Sequence, residues 1–141
     1  MMKGKENTET RELWIKYHER GTHYLHKHRL ALSERYYRKA IDAAPSDKIK
    51  QRLNNSLGNV SYGRKNYQEA IDLYKKSLQY IDNKSVTLAN IALAFNHLMG
   101  RKNKERAKLY SQKALAAIGK ERSFYKDKKL KNDLVAALKR I

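Results

Sequence analysis

The feature that most constrains this chain is a recurrence. Residues 33–42, 70–79 and 107–116 resemble one another and are spaced 37 residues apart. Their matched positions are Ser33, Tyr37 and Ala40, then Ala70, Tyr74 and Ser77, then Ala107, Ser111 and Ala114. A second apolar segment precedes each. It reads Tyr17, Gly21 and Tyr24, then Leu57, Gly58 and Tyr62, then Leu88, Ile91, Ala92 and Phe95. Both segments follow helical spacing, and no period-two stretch of useful length competes with them. Each unit therefore reads as a pair of helices. A lone pair cannot bury its apolar face, so the pairs must stack into one continuous core.

The pattern resembles the tetratricopeptide repeat family. That family places a bulky residue, Leu-Gly and Tyr on a first helix, then Ala, an aromatic, Ala and Pro on a second. Repeats fall at about 14–47, 51–84 and 85–121. Departures are Arg20 for the usual Leu, Ser61 beside Tyr62 at an aromatic position, and Ser111 beside Tyr110 at another. Asp82 and Gly119 replace the closing Pro, which survives as Pro45. The implied fold is an all-α solenoid of about three hairpins with a closing helix, forming a single domain over 9–141. Small residues (Gly21, Gly58, Ala92; Ala40, Ser77, Ala114) would sit where paired helices approach closely, and large aromatics would fill the gaps between hairpins.

Capping signals set the expected helices near 10–27, 31–44, 47–64, 67–81, 86–99, 103–118 and 121–140. Asn66 and Glu69 have capping-box spacing. Ser46 and Ser85 are candidate N-caps, and Gly100 and Gly119 candidate stops. Residues 1–8 are expected to fray. The last segment leaves the repeat pattern: Leu130, Leu134, Leu138 and Ile141 form a stripe, with Phe124 and Ala137 nearby. That stripe is expected to cover the third hairpin, while Arg122, Lys126, Lys128, Lys129 and the other basic residues keep the remainder in water.

Composition narrows the function. The chain has 32 Lys and Arg against 14 Asp and Glu, a formal charge of +18. The excess is uneven: residues 1–13 are neutral, residues 85–119 carry six basic groups against one acid, and residues 120–141 carry eight against three. Such a balance favours a polyanionic partner, whether an acidic peptide, a nucleic acid or an anionic surface, although it also serves plain solvation. There is no cysteine, which excludes disulfides and thiol chemistry. No secretory signal opens the sequence and no run approaches the roughly 18 apolar residues of a membrane span, so a cytoplasmic location is expected.

No catalytic constellation, cofactor motif or complete metal-ligand set stands out, and a non-enzymatic role is expected. His18, His23, His26 and His28 crowd one helix, but no carboxylate stands at matching spacing to complete a zinc site. The family resemblance implies a concave face lined by the first helix of each hairpin. Carried over, that lining includes His18 and Thr22, then Arg52, Asn55, Asn59 and Tyr62, then Asn90, Asn96 and His97. Asn side chains both donate and accept, so they suit the backbone of an extended peptide. The expected function is an interaction scaffold or adaptor that holds an acidic peptide or helix of another protein. The alternatives are a basic nucleic-acid-binding accessory protein and a repeat fragment of a larger regulator. The uncovered edge of the first repeat, around Trp14 and Tyr17, offers a route to a homo-oligomer.

Overall fold

A computed structural model describes the backbone of residues 2–121 and 127–141, and the side chains of residues 12–121 and 127–141. The described residues form seven helices: α1 (Met2–His26), α2 (Leu30–Ala43), α3 (Asp47–Gly63), α4 (Tyr67–Leu78), α5 (Ser85–His97), α6 (Arg101–Lys120) and α7 (Lys128–Lys139). Helices α1/α2, α3/α4 and α5/α6 pair as hairpins; α2 then packs on α3, α4 on α5, and α7 on α5 and α6. This is the helical-hairpin stack that the tetratricopeptide resemblance implies.

Each junction has its own apolar cluster. Tyr37, Leu57 and Val60 join the first two hairpins, with Leu30 and Leu73 against them. Ile71, Tyr74, Ile91 and Phe95 join the second and third. Leu88, Ala92, Ile118 and Leu138 seat the closing helix. Leu78, Tyr110 and Ile141 touch both of the last two clusters, so those two form one continuous core beneath the closing helix. Full burial of a Leu or Ile contributes about 1.5–3 kcal/mol.

The helix pairs are set by glycine against tyrosine. A Cβ at Gly21 would lie 2.5 Å from Tyr37 Cδ1, and one at Gly58 would lie 2.7 Å from Tyr74 Cδ1. Neither position admits a side chain. In the third hairpin the equivalents are Ala92 and Ser111, so the methyl returns where the ring is lost. Ser111 Oγ instead donates to Leu138 O of α7 at 2.8 Å. A ring at position 111 would occupy the space where α7 docks.

Two hairpin turns are built alike. The N–H of Arg29 donates to Tyr24 O and that of His28 to Leu25 O. Thirty-seven residues later Asn66 donates to Ser61 O and Lys65 to Tyr62 O. These paired bonds are Schellman closures. Their left-handed residues are His28 (φ 56°) and Lys65 (φ 65°), neither of them glycine.

Several local expectations change. Ser46 caps α3 as expected, accepting from Ile49 N. Asn66 makes no side-chain cap bond; the capping box is replaced by the Schellman turn, which holds Asn66 through its backbone. Ser85 is the first residue of α5 and not its cap. The carboxylate of Glu121 serves there, accepting Lys84 N–H at 2.9 Å and Ser85 N–H at 3.4 Å. A carboxylate at a helix N-terminus also meets the positive end of its dipole. Gly119 does not stop α6, which continues to Lys120. The closing helix begins at Lys128 and not near 121, because Asp127 caps it by accepting from Lys129 N and Leu130 N. Arg122, Phe124, Tyr125 and Lys126 lie outside the described residues. At the other end, α1 reaches back to Met2, into the segment expected to fray.

Candidate partner-binding face

The first helices are linked side by side through residues of the expected lining. His18 Nε2 lies 2.9 Å from Ser56 Oγ, joining α1 to α3. Thr87 Oγ1 donates to Asn55 Oδ1 at 3.0 Å, joining α3 to α5. His18 and Asn55 are 37 residues apart and do the same work in successive hairpins.

One turn further along, the lining holds the buried tyrosines. Thr22 Oγ1 donates to His18 O at 3.1 Å and lies 2.9 Å from Tyr37 OH, so the phenol is left to donate to it. Tyr74 OH donates to Asn59 Oδ1 at 2.7 Å. Thr22 and Asn59 again share the 37-residue spacing. Both tyrosines lie within the core at 1% exposure, and burial raises both phenol pKa values; the hydrogen bond with Thr22 opposes the shift at Tyr37.

These bonds leave specific capacity unused. In Asn55 and Asn59 the amide oxygen is taken, so the NH2 group of each is available on a half-buried surface. Asn90 is also half-buried. Asn55 and Asn59 therefore present hydrogen-bond donors in fixed orientation on this face, while Asn90 keeps both donor and acceptor capacity.

The charged members of the expected lining are occupied. Arg52 Nε donates to Tyr80 O, and its guanidinium pairs with Asp82 at 3.4 Å. Arg52 thus secures the connection between α4 and α5. His18 is held below the ordinary imidazole pKa by burial, against the opposing charge of Glu19. It therefore stays neutral near pH 7. Helix α5 contains no Lys, Arg, Asp or Glu.

Tyr62 and His97 are brought together with Tyr67, which the sequence had not placed there. Tyr67 stacks on His97 with centroids 4.3 Å apart, and Tyr62 meets both rings edge-on. Burial raises the Tyr62 phenol pKa. Asn96 and His97 line a depression of about 580 Å³ with Leu98, Met99 and Arg101, and Met99 is 93% exposed.

At the edge of the first hairpin, Tyr24 stacks on Tyr36 and Tyr17 lies beside it. Leu13 and Ile15 are exposed, and Trp14 Nε1 is shielded from solvent with no hydrogen-bond partner. The histidines of α1 do not converge: among the described residues no group of three His, Cys, Asp or Glu could hold a metal ion. No helix among the described residues is long and apolar enough to cross a membrane.

Sequence reasoning missed Ser56, Thr87 and Glu121. His18/Asn55 and Thr22/Asn59 keep the 37-residue interval of the packing positions, so these four belong to the repeat as well as to the face; Ser56 and Thr87 are 31 residues apart and share no such interval.

Over 110 residues, covering 74% of this chain, the sequence is 31% identical to Anaphase-promoting complex subunit 6 of Arabidopsis thaliana. The chain spans 19% of the length of that relative. No protein-family model matches the chain, and no solved structure matches it at a significant level.

Proposed function

We propose that this chain is a protein-interaction module whose α1/α3/α5 face holds an extended acidic segment of another protein. The observation that carries the reading is the row of amides at Asn55, Asn59 and Asn90. Two of them are oriented by bonds to Thr87 and Tyr74, so little side-chain freedom is lost when a peptide backbone meets their donors. The likeness to a stretch of a named subunit of a complex supports a scaffold role. The preference for acid comes from the whole molecule, since Arg52 and His18 are engaged internally. A charge of +18 accelerates encounter with an acidic partner and yields to salt.

The test keeps the fold while changing the face. Asn55→Asp with Asn59→Asp preserves the oxygens that accept from Thr87 and Tyr74, and exchanges outward donors for acceptors. Partners captured from the native cell, identified after nuclease treatment, should be lost by this bait. Binding of an acidic peptide from such a partner should weaken by about tenfold or more, the equivalent of ~1.4 kcal/mol. Unchanged capture by the double variant would refute the reading.

A further inference from the structure

The largest body of unneutralised charge lies away from that face, on the second helices. Helix α6 carries seven cations against one acid, Glu105. Its one ion pair among the described residues is Arg101 with Glu105 at 3.7 Å, both exposed. At about 100° per residue, Lys102, Arg106, Lys113 and Lys120 fall within roughly a 40° arc and extend about 27 Å along the helix.

Part of this stripe is assembled rather than scattered. Lys75 Nζ from α4 lies 5.4 Å from the Phe95 ring centre and 5.6 Å from that of Tyr110. Lys113 Nζ lies 4.9 Å from the Tyr110 centre, and the Arg106 guanidinium 6.0 Å from that of Phe95. The two rings are themselves 5.6 Å apart. Three cations thus gather on one two-ring platform, and none has a carboxylate partner among the described residues. Cation–π attraction holds them there, yet their mutual repulsion stays uncompensated until an anion arrives.

We propose that this α4/α6 surface binds the phosphodiester backbone of a nucleic acid without reading its sequence. A protein partner fits poorly, because protein interfaces are depleted in Lys and depend on exposed aromatic or apolar anchors. Here Phe95 is 2% exposed, and Leu109 is the large apolar side chain that the stripe leaves open. A partner held by ion release needs no such anchor and matches a linear row of cations.

The experiment uses the full chain and a labelled ~20-nucleotide single strand and duplex of arbitrary sequence, titrated across KCl concentrations by fluorescence anisotropy. Binding should weaken steeply with salt. The variant Lys75→Gln, Arg106→Gln, Lys113→Gln should shallow the logarithmic salt slope by about 2–3, at ~0.7–0.9 per phosphate contact, and reduce affinity by about tenfold or more at ~0.1 M salt. A charge-matched control, Lys27→Gln, Lys48→Gln, Lys65→Gln, should change the slope much less. Circular dichroism of both variants should show the wild-type helix content, since all six side chains are exposed. Equal loss in the two variants would overturn the proposal in favour of net charge alone. Equal affinity for a poly-glutamate of matched charge would overturn it in favour of an acidic protein. The Asn55→Asp, Asn59→Asp variant should bind the nucleic acid like wild type, which separates this surface from the peptide face.

Discussion

Single residues carry strain and titration that the repeat pattern conceals. Lys65 occupies left-handed backbone at φ 65° with its side chain in solvent, a conformation that costs an L-residue about 1–2 kcal/mol and glycine far less. Lys65→Gly should therefore raise stability by about 1 kcal/mol, read as a higher urea midpoint at unchanged slope. His18 titrates in the opposite sense to most paired histidines. Its folded pKa is lowered by burial, so the unfolded chain binds the proton first as pH falls. Its contribution is complete above the unfolded value of about 6.5 and is lost as pH drops from there through the lower folded value. Glu34 is also lowered, by Arg64 and then Arg38, but its loss falls below the ordinary carboxylate pKa. His18→Asn installs the residue found at the equivalent Asn55. It should flatten the decline in urea midpoint between about pH 7 and 5, and an unchanged decline would remove His18 as its cause.

At the scale of helices, pairing depends on what the second helix presents to the first. Tyr37 and Tyr74 cover Gly21 and Gly58 so closely that a methyl collides with the ring. Gly58→Ala should destabilise by about 2–3 kcal/mol through overpacking, despite alanine's better helix propensity. The check is a pair of thermal melts: Gly119→Ala, where a Cβ meets nothing within 4 Å, should be neutral or stabilising. Helix ends follow the same logic. Helix α5 is capped by Glu121 from the end of α6, so the third hairpin fastens its own first helix to its last residues.

Across the molecule, stability passes from one hairpin to the next through neighbouring clusters. Helix α7 is the exception, held on the third hairpin by Leu138 and by the bond from Ser111 Oγ to Leu138 O. Leu138→Ala should cost about 2–5 kcal/mol of local stability. Hydrogen exchange should rise first in α7 and then in the inner surfaces of α5 and α6, with α1 and α2 unaffected. Uniform acceleration through all seven helices would mean that the stack unfolds as one unit.

The recurrence of small and aromatic residues determined the helical class, the three pairs and their order, because 3.6-residue spacing and a 37-residue interval are properties of the chain itself. It also marked Gly21 and Gly58 as points of close helix approach, whereas the rings of Tyr37 and Tyr74 that cover them were placed by the packing. Tertiary structure alone decided which polar groups are left without a hydrogen bond. Asn59 and Arg52 look equally available along the chain, yet Asn59 engages only its amide oxygen, with Tyr74, while Arg52 is bound to Tyr80 and Asp82. Hydrogen bonds are short and directional, and the residues that complete these come from elements 15 to 30 positions away. Local spacing holds no record of that until the hairpins are packed.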